Sequence, residues 1–104
     1  WVAALRSGEY TQGYRRLRDS DNKFCCLGVL CNLHARAHPE IAAQQTDPGR
    51  YMGELGIPHD SVFIWAGSAW HRTVEIGGYA GRMDQHNDSG RTFAEIADAI
   101  EAQL

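Results

Sequence analysis

The stretch Phe24-Cys25-Cys26-Leu27-Gly28-Val29-Leu30-Cys31 constrains this chain most, because a nearly uninterrupted apolar run carrying three thiols has to be buried wherever it folds. Beyond it, Leu33 and Ala37 continue the apolar positions at three- and four-residue intervals, which predicts a helix from about Cys26 to His38, ended by Pro39. Three cysteines cannot all pair within one chain, and a bridge between adjacent Cys25 and Cys26 would force a strained ring. Reduced thiols filling the core of a cytoplasmic protein are the expectation.

The 104 residues fit one domain, 1–104, with one modest core. No apolar stretch approaches the roughly 18 residues of a membrane span. Trp1 to Leu5, cut short by Arg6, is too brief for a secretory signal, and the absence of an initiator Met at Trp1 leads us to expect residues upstream. A net charge of -3 argues against non-specific nucleic-acid binding, which needs a strongly basic surface. Nine of the ten cations are Arg, a bias that fits a GC-rich coding sequence as well as it fits phosphate binding.

Trp1, Val2 and Leu5 at helical spacing predict a short helix over 1–7. The turn cluster Asp19-Ser20-Asp21-Asn22 predicts a hairpin with strands near 14–18 and 23–26. Residues 40–56 read as a turn-rich connection contributing little core. Pro58 is placed to open a short helix with Val62, Trp65 and Ala66 on its buried side and Gly67 as its stop, a strand over Val62 to Trp65 being the competing reading. Thr73-Val74-Glu75-Ile76 predicts a strand closed by Gly77-Gly78, with another from Tyr79 to Asp84. Thr92 and Glu95 form a capping box for a C-terminal helix whose apolar stripe is Phe93, Ile96, Ala97, Ile100 and Leu104. The class is therefore α+β, a short antiparallel sheet or hairpin packed against helices. Phe24, Leu27, Val29, Leu30, Leu33, Trp65, Phe93, Ile96 and Ile100 are the expected core.

Tyr10-Thr11-Gln12-Gly13, Leu17-Arg18, the Phe24–Cys31 run, Trp65-Ala66-Gly67, Asn87-Asp88-Ser89-Gly90, Phe93-Ala94-Glu95-Ile96-Ala97 and Ile100-Glu101 resemble a family of small uncharacterised proteins encoded by bacteriophages and prophages. Members of that family often carry Asp where this chain has Asn32. The resemblance implies context, namely an accessory protein acting on host defence or host regulation inside the host cytoplasm, and no catalytic residue. In structural terms, Gly13 and Gly90 suit turns with positive φ and Gly28 suits close helix packing.

Four constellations could carry chemistry. Cys31, His34 and His38 at i, i+3 and i+7 share a helix face, but they lack the paired short spacings of a zinc module, so no metal site is assigned. Cys26 near a helix start suits a thiolate nucleophile, yet its apolar neighbours favour burial, so no catalytic residue is assigned either. Tyr14, Arg16 and Arg18 on one strand face would present an aromatic ring and two guanidinium forks to an anionic ligand, with Tyr10, Gln12, Asn87 and Asp88 as polar neighbours. Trp65, Trp70 and Phe63 form an aromatic cluster in which Trp70, beside His71 and Arg72, is a candidate anchor for a partner protein together with Arg72. The leading expectation is a non-enzymatic accessory protein, without cofactor, that binds a host protein or a phosphate-bearing small molecule. A small cysteine- or metal-dependent enzyme is the alternative, and a virion structural or assembly protein the third.

Overall fold

Cys25 opens the longest helix: its backbone is extended, and its Sγ accepts the Gly28 N–H at 3.4 Å. The helix then runs Cys26–Ala37 and stops before Pro39, which cannot donate the next backbone bond. Cys26, Leu27, Gly28, Val29, Leu30, Cys31 and His34 are all buried, because neighbours cover this helix on several sides. An almost continuous apolar run in a helix requires such a wrapping.

The computed structural model describes residues 1–67 and 72–104. Among these, the elements are α1 (Val2–Arg6), α2 (Cys26–Ala37), α3 (Pro39–Ala42), α4 (Asp60–Trp65), β1 (Thr73–Ile76), β2 (Tyr79–Arg82), α5 (Met83–Asp88) and α6 (Phe93–Gln103). Helix α2 packs on α1, α3, α4 and α5, while α6 packs on α1, β1 and α5. The fold is α+β, with one core extending from Leu5 through Val29, Phe63, Val74 and Met83 to Ile100. No helix among the described residues is long and apolar enough to cross a membrane.

The β1–β2 hairpin forms where the alternating Thr73–Ile76 pattern places it, with Ile76 paired to Tyr79 across Gly77 and Gly78, both at positive φ. A two-residue turn of that kind favours residues without a Cβ. At the C-terminal helix the capping box is complete: Thr92 Oγ1 accepts the Glu95 N–H at 3.2 Å and Glu95 accepts the Thr92 N–H at 3.2 Å. Residues 60–65 are helical, so the competing strand is excluded.

Several expectations are corrected. The strands over 14–18 and 23–26 do not form; single bridges join Phe24 to Gln12 and to Arg18, and Arg15 takes a left-handed φ of 68°. Their turn does form, with Asp19 accepting the N–H groups of Asp21 and Lys23. Leu17 N–H donates at 2.9 Å to Leu55 O, a tertiary partner that displaces hairpin pairing. Gly13 is needed for close approach rather than for positive φ, since a Cβ there would lie 2.8 Å from Lys23 Cβ. The 40–56 connection contains α3, opened by Pro39 at its first turn, and the buried Tyr51. Trp65 is 44% exposed, because α4 turns Val62 and Phe63 inward instead, and Leu33 on α2 is only half-buried.

Candidate functional site

The polar motifs at the two ends of the sequence meet at the start of α2. Asn87, fully buried on α5, accepts the Cys26 N–H at 3.1 Å and a Gln12 N–H at 3.0 Å, and donates to Gly13 O at 2.8 Å. Gln12 also donates to Arg91 O at 2.7 Å and accepts the Phe93 N–H at 3.1 Å. Asp88 accepts the Arg15 N–H at 2.7 Å, and Tyr10 OH donates to Asn32 Oδ1 at 2.6 Å. Helix α2 thus receives at one of its unpaired first N–H groups a side chain from a distant helix. Four residues expected to be ligand neighbours, Tyr10, Gln12, Asn87 and Asp88, therefore make internal hydrogen bonds that fasten α5, α6 and the 10–15 segment to α2.

Of the remaining expected ligand contacts, Tyr14 and Arg16 are exposed on the 13–17 loop, whereas Arg18 lines a cavity. Without the strand, no two-residue period aligns the three side chains. Arg72 donates to Asp60 at 2.8 Å and its guanidinium lies 4.3 Å from the centre of the Phe63 ring, so it ties β1 to α4. Trp70 lies outside the described residues.

The cavity measures about 320 Å3 and lies between α2 and the segment leading from Ala42 to Tyr51. Leu17, Phe24, Cys31 and Ala35 give it an apolar floor, while Arg18, Asn32, Asp47 and Arg50 give it polar edges. Two guanidiniums stand against one carboxylate. Arg18 donates through Nε to Asn22 Oδ1 and lies 5.4 Å from the Phe24 ring centre, which leaves its terminal nitrogens unpaired among the described residues. Arg50 Nη1 donates to Gly53 O at 3.2 Å, with its Nε 3.7 Å from the Asp47 carboxylate. Asn32 uses its oxygen for Tyr10, and its amide N–H groups at the edge have no partner among the described residues. Such an arrangement is rich in donors over an apolar base. Sequence reasoning missed Asp47, Arg50 and Tyr51 because they sit in a turn-rich stretch; the lone Tyr among turn residues was the available signal.

Behind this cavity, Tyr51 OH and His34 Nδ1 are 2.6 Å apart. The His34 ring stacks on His38 at 4.0 Å between centres, and His38 Nδ1 donates to His34 O at 2.8 Å. Trp65 meets both imidazoles edge-on. These imidazoles stack on each other and do not converge on a common point with Cys31. Among the described residues no group of three or more His, Cys, Asp or Glu side chains is arranged to hold a metal ion. Burial, and secondarily His38, push the His34 pKa below the ordinary 6.5, while burial pushes the Tyr51 phenol up to about 12.

That depression has a consequence for stability. The unfolded chain takes up a proton near pH 6.5 and the native state resists it, so the contribution of His34 is complete above about pH 6.5 and is lost as pH falls below it. Urea midpoints measured at about pH 8 and about pH 5.5 should show a drop that is smaller in His34→Gln. Equal drops in both proteins would contradict this assignment.

The thiols are not disposed for nucleophilic chemistry. Cys26 is fully buried with Sγ 3.4 Å from Met83 O, and burial pushes its pKa well above the usual thiol range. Burial likewise raises Cys25 to about 11 and lifts Cys31 further. Thiolate formation near neutral pH is suppressed at all three.

Comparison with curated proteins and with solved structures finds no match. Residues 1–104, which include the Asn87 hub, the α2 run and the cavity walls, match the model of one family along their whole length, and the chain belongs to that family, the domain of unknown function DUF8296.

Proposed function

We propose that this protein is a non-enzymatic bacteriophage accessory protein, working in the host cytoplasm by binding, and that its ligand is a small phosphate-bearing molecule held in the cavity beside α2. The observation that carries this reading is the cavity itself, with two guanidiniums and an amide whose N–H groups have no partner among the described residues, around an apolar floor. Its volume of about 320 Å3 lies at the small end of the range for ligand sites, roughly 300–1,000 Å3. Guanidinium forks suit phosphate oxygens, and the Phe24 ring together with Leu17 and Ala35 suits an apolar or heteroaromatic body. The likeness of the Tyr10–Gly13, Phe24–Cys31 and Asn87–Gly90 motifs to phage and prophage proteins supports the origin, and with it a role in counter-defence or host takeover.

A panel of nucleoside mono- and diphosphates with inorganic phosphate, read by calorimetry and by thermal shift, tests the reading. At least one compound should bind, its affinity should fall as salt rises, and Arg18→Ala with Arg50→Ala should weaken it at least about tenfold while leaving the ligand-free melting temperature in place. A panel without a binder, or an undiminished affinity in the double variant, would sink the cavity assignment.

A further inference from the structure

The loop Tyr14–Arg16 is held by backbone hydrogen bonds at its centre and on both flanks, and among the described residues its side chains make no hydrogen bond or ion pair. Gly13 N–H donates to Phe24 O at 2.7 Å, Arg15 N–H to Asp88 Oδ1 at 2.7 Å, and Leu17 N–H to Leu55 O at 2.9 Å, while Arg16 O accepts the Cys25 N–H at 3.4 Å. Arg15 is thereby kept at φ 68°, a region that a residue bearing a Cβ seldom adopts. Asp88, which holds it there, follows directly on the buried Asn87 hub, so the loop is anchored next to a buried, fully hydrogen-bonded polar network.

The side chains point to what this rigidity serves. Tyr14 is 52% exposed, and Arg15, Arg16 and the adjoining Lys23 are exposed. Among the described residues, Arg6, Arg72, Arg82 and Arg91 each hold a carboxylate, Arg18 an amide, Arg50 a carbonyl, and Arg36 lies over the Tyr10 ring. Among the described residues the guanidiniums of Arg15 and Arg16 have no such acceptor. A basic tip with a Tyr beside it thus stands out from a chain whose net charge is -3.

We propose that Tyr14, Arg15 and Arg16 form a preorganised docking tip for an acidic surface on a partner protein. Tyr and Arg are the residues on which protein interfaces concentrate their affinity, and a tip already ordered loses little freedom on docking. Nucleic acid is disfavoured as the partner, because a polyanion extending past the tip would meet an overall acidic chain. This surface is separate from the cavity ligand, and its test does not depend on one.

Selection of random 12-residue peptides against the immobilised protein at low salt provides that test. Enriched peptides should carry Asp or Glu, and a synthetic copy should bind Arg15→Asn/Arg16→Gln at least about tenfold more weakly, with affinity falling as salt rises. Asn tolerates positive φ, so the loop geometry should survive, and an unchanged unfolding midpoint would confirm it. If the midpoint falls, Arg16→Gln alone should still weaken binding. Selected peptides without acidic residues, acidic peptides that bind both variants as well as the native protein, or a single-stranded 12-nucleotide DNA that binds more tightly than any peptide would each overturn the proposal.

Discussion

Gly28→Ala should destabilise this protein by about 4 kcal/mol or more, against a total for a domain of this size of roughly 5–15 kcal/mol. A Cβ on Gly28 would lie 2.6 Å from the Leu17 carbonyl carbon, 3.0 Å from its Cα, and closer still to its oxygen. The clash is with backbone, so no rotamer relieves it. The Leu17 segment cannot retreat freely, because Leu17 is itself buried and its N–H is bonded to Leu55 O. Helix propensity alone argues the opposite sign, since Ala stabilises a helix interior by about 1 kcal/mol over Gly. The sign of the change in urea midpoint therefore decides between local preference and tertiary contact. A midpoint equal to or above that of the native protein would show that α2 and the 13–17 loop are not packed this closely.

Asn87→Ala should cost about 3–5 kcal/mol. Removal of the amide leaves the Cys26 N–H and the Gly13 carbonyl without their partners in a site with no solvent contact, and releases one of the bonds that orient Gln12. Each stranded buried group costs about 1–3 kcal/mol, and the effects are not additive because the partners form one network. Ser89→Ala on the same turn removes only an exposed residue's bond to His86 O and should change stability by less than about 0.5 kcal/mol. Thermal or urea unfolding of the two variants side by side provides the measurement. A small loss for Asn87→Ala would mean that water replaces the amide and that the hub is not dry.

The elements that could be read from the sequence are those whose stabilising partners lie nearby in the chain. The α6 capping box joins residues three apart, and the Gly77-Gly78 turn sets the β1–β2 register by itself. The Cys26–Ala37 helix follows from apolar spacing and Pro39. Gly28 was readable as a close-packing position, although its partner Leu17 was not, because nothing in a helical period tells which backbone will cross it.

Elsewhere the deciding partner is distant. Residues 14–18 have the look of a strand next to a turn, but Leu17 finds Leu55 and Arg15 finds Asp88, and these tertiary bonds outweigh a two-residue period over five residues. The polar pattern of Tyr10, Gln12, Asn87 and Asp88 is indistinguishable in sequence from a ligand-binding set, since amides and carboxylates serve either use. Only the fold shows that they bind the protein to itself. The cavity is likewise invisible in sequence, being formed where the 42–51 segment passes over α2 and brings Arg50 across from Arg18. By itself, then, the sequence determined α1, α2, α6, the β1–β2 hairpin and the apolar run that had to be buried, because those depend on spacing and capping, whereas α3 and α5 were not read from it. Tertiary structure alone decided which polar residues were consumed internally and which arginines have no internal acceptor among the described residues, because hydrogen-bond partners are assigned by proximity in space.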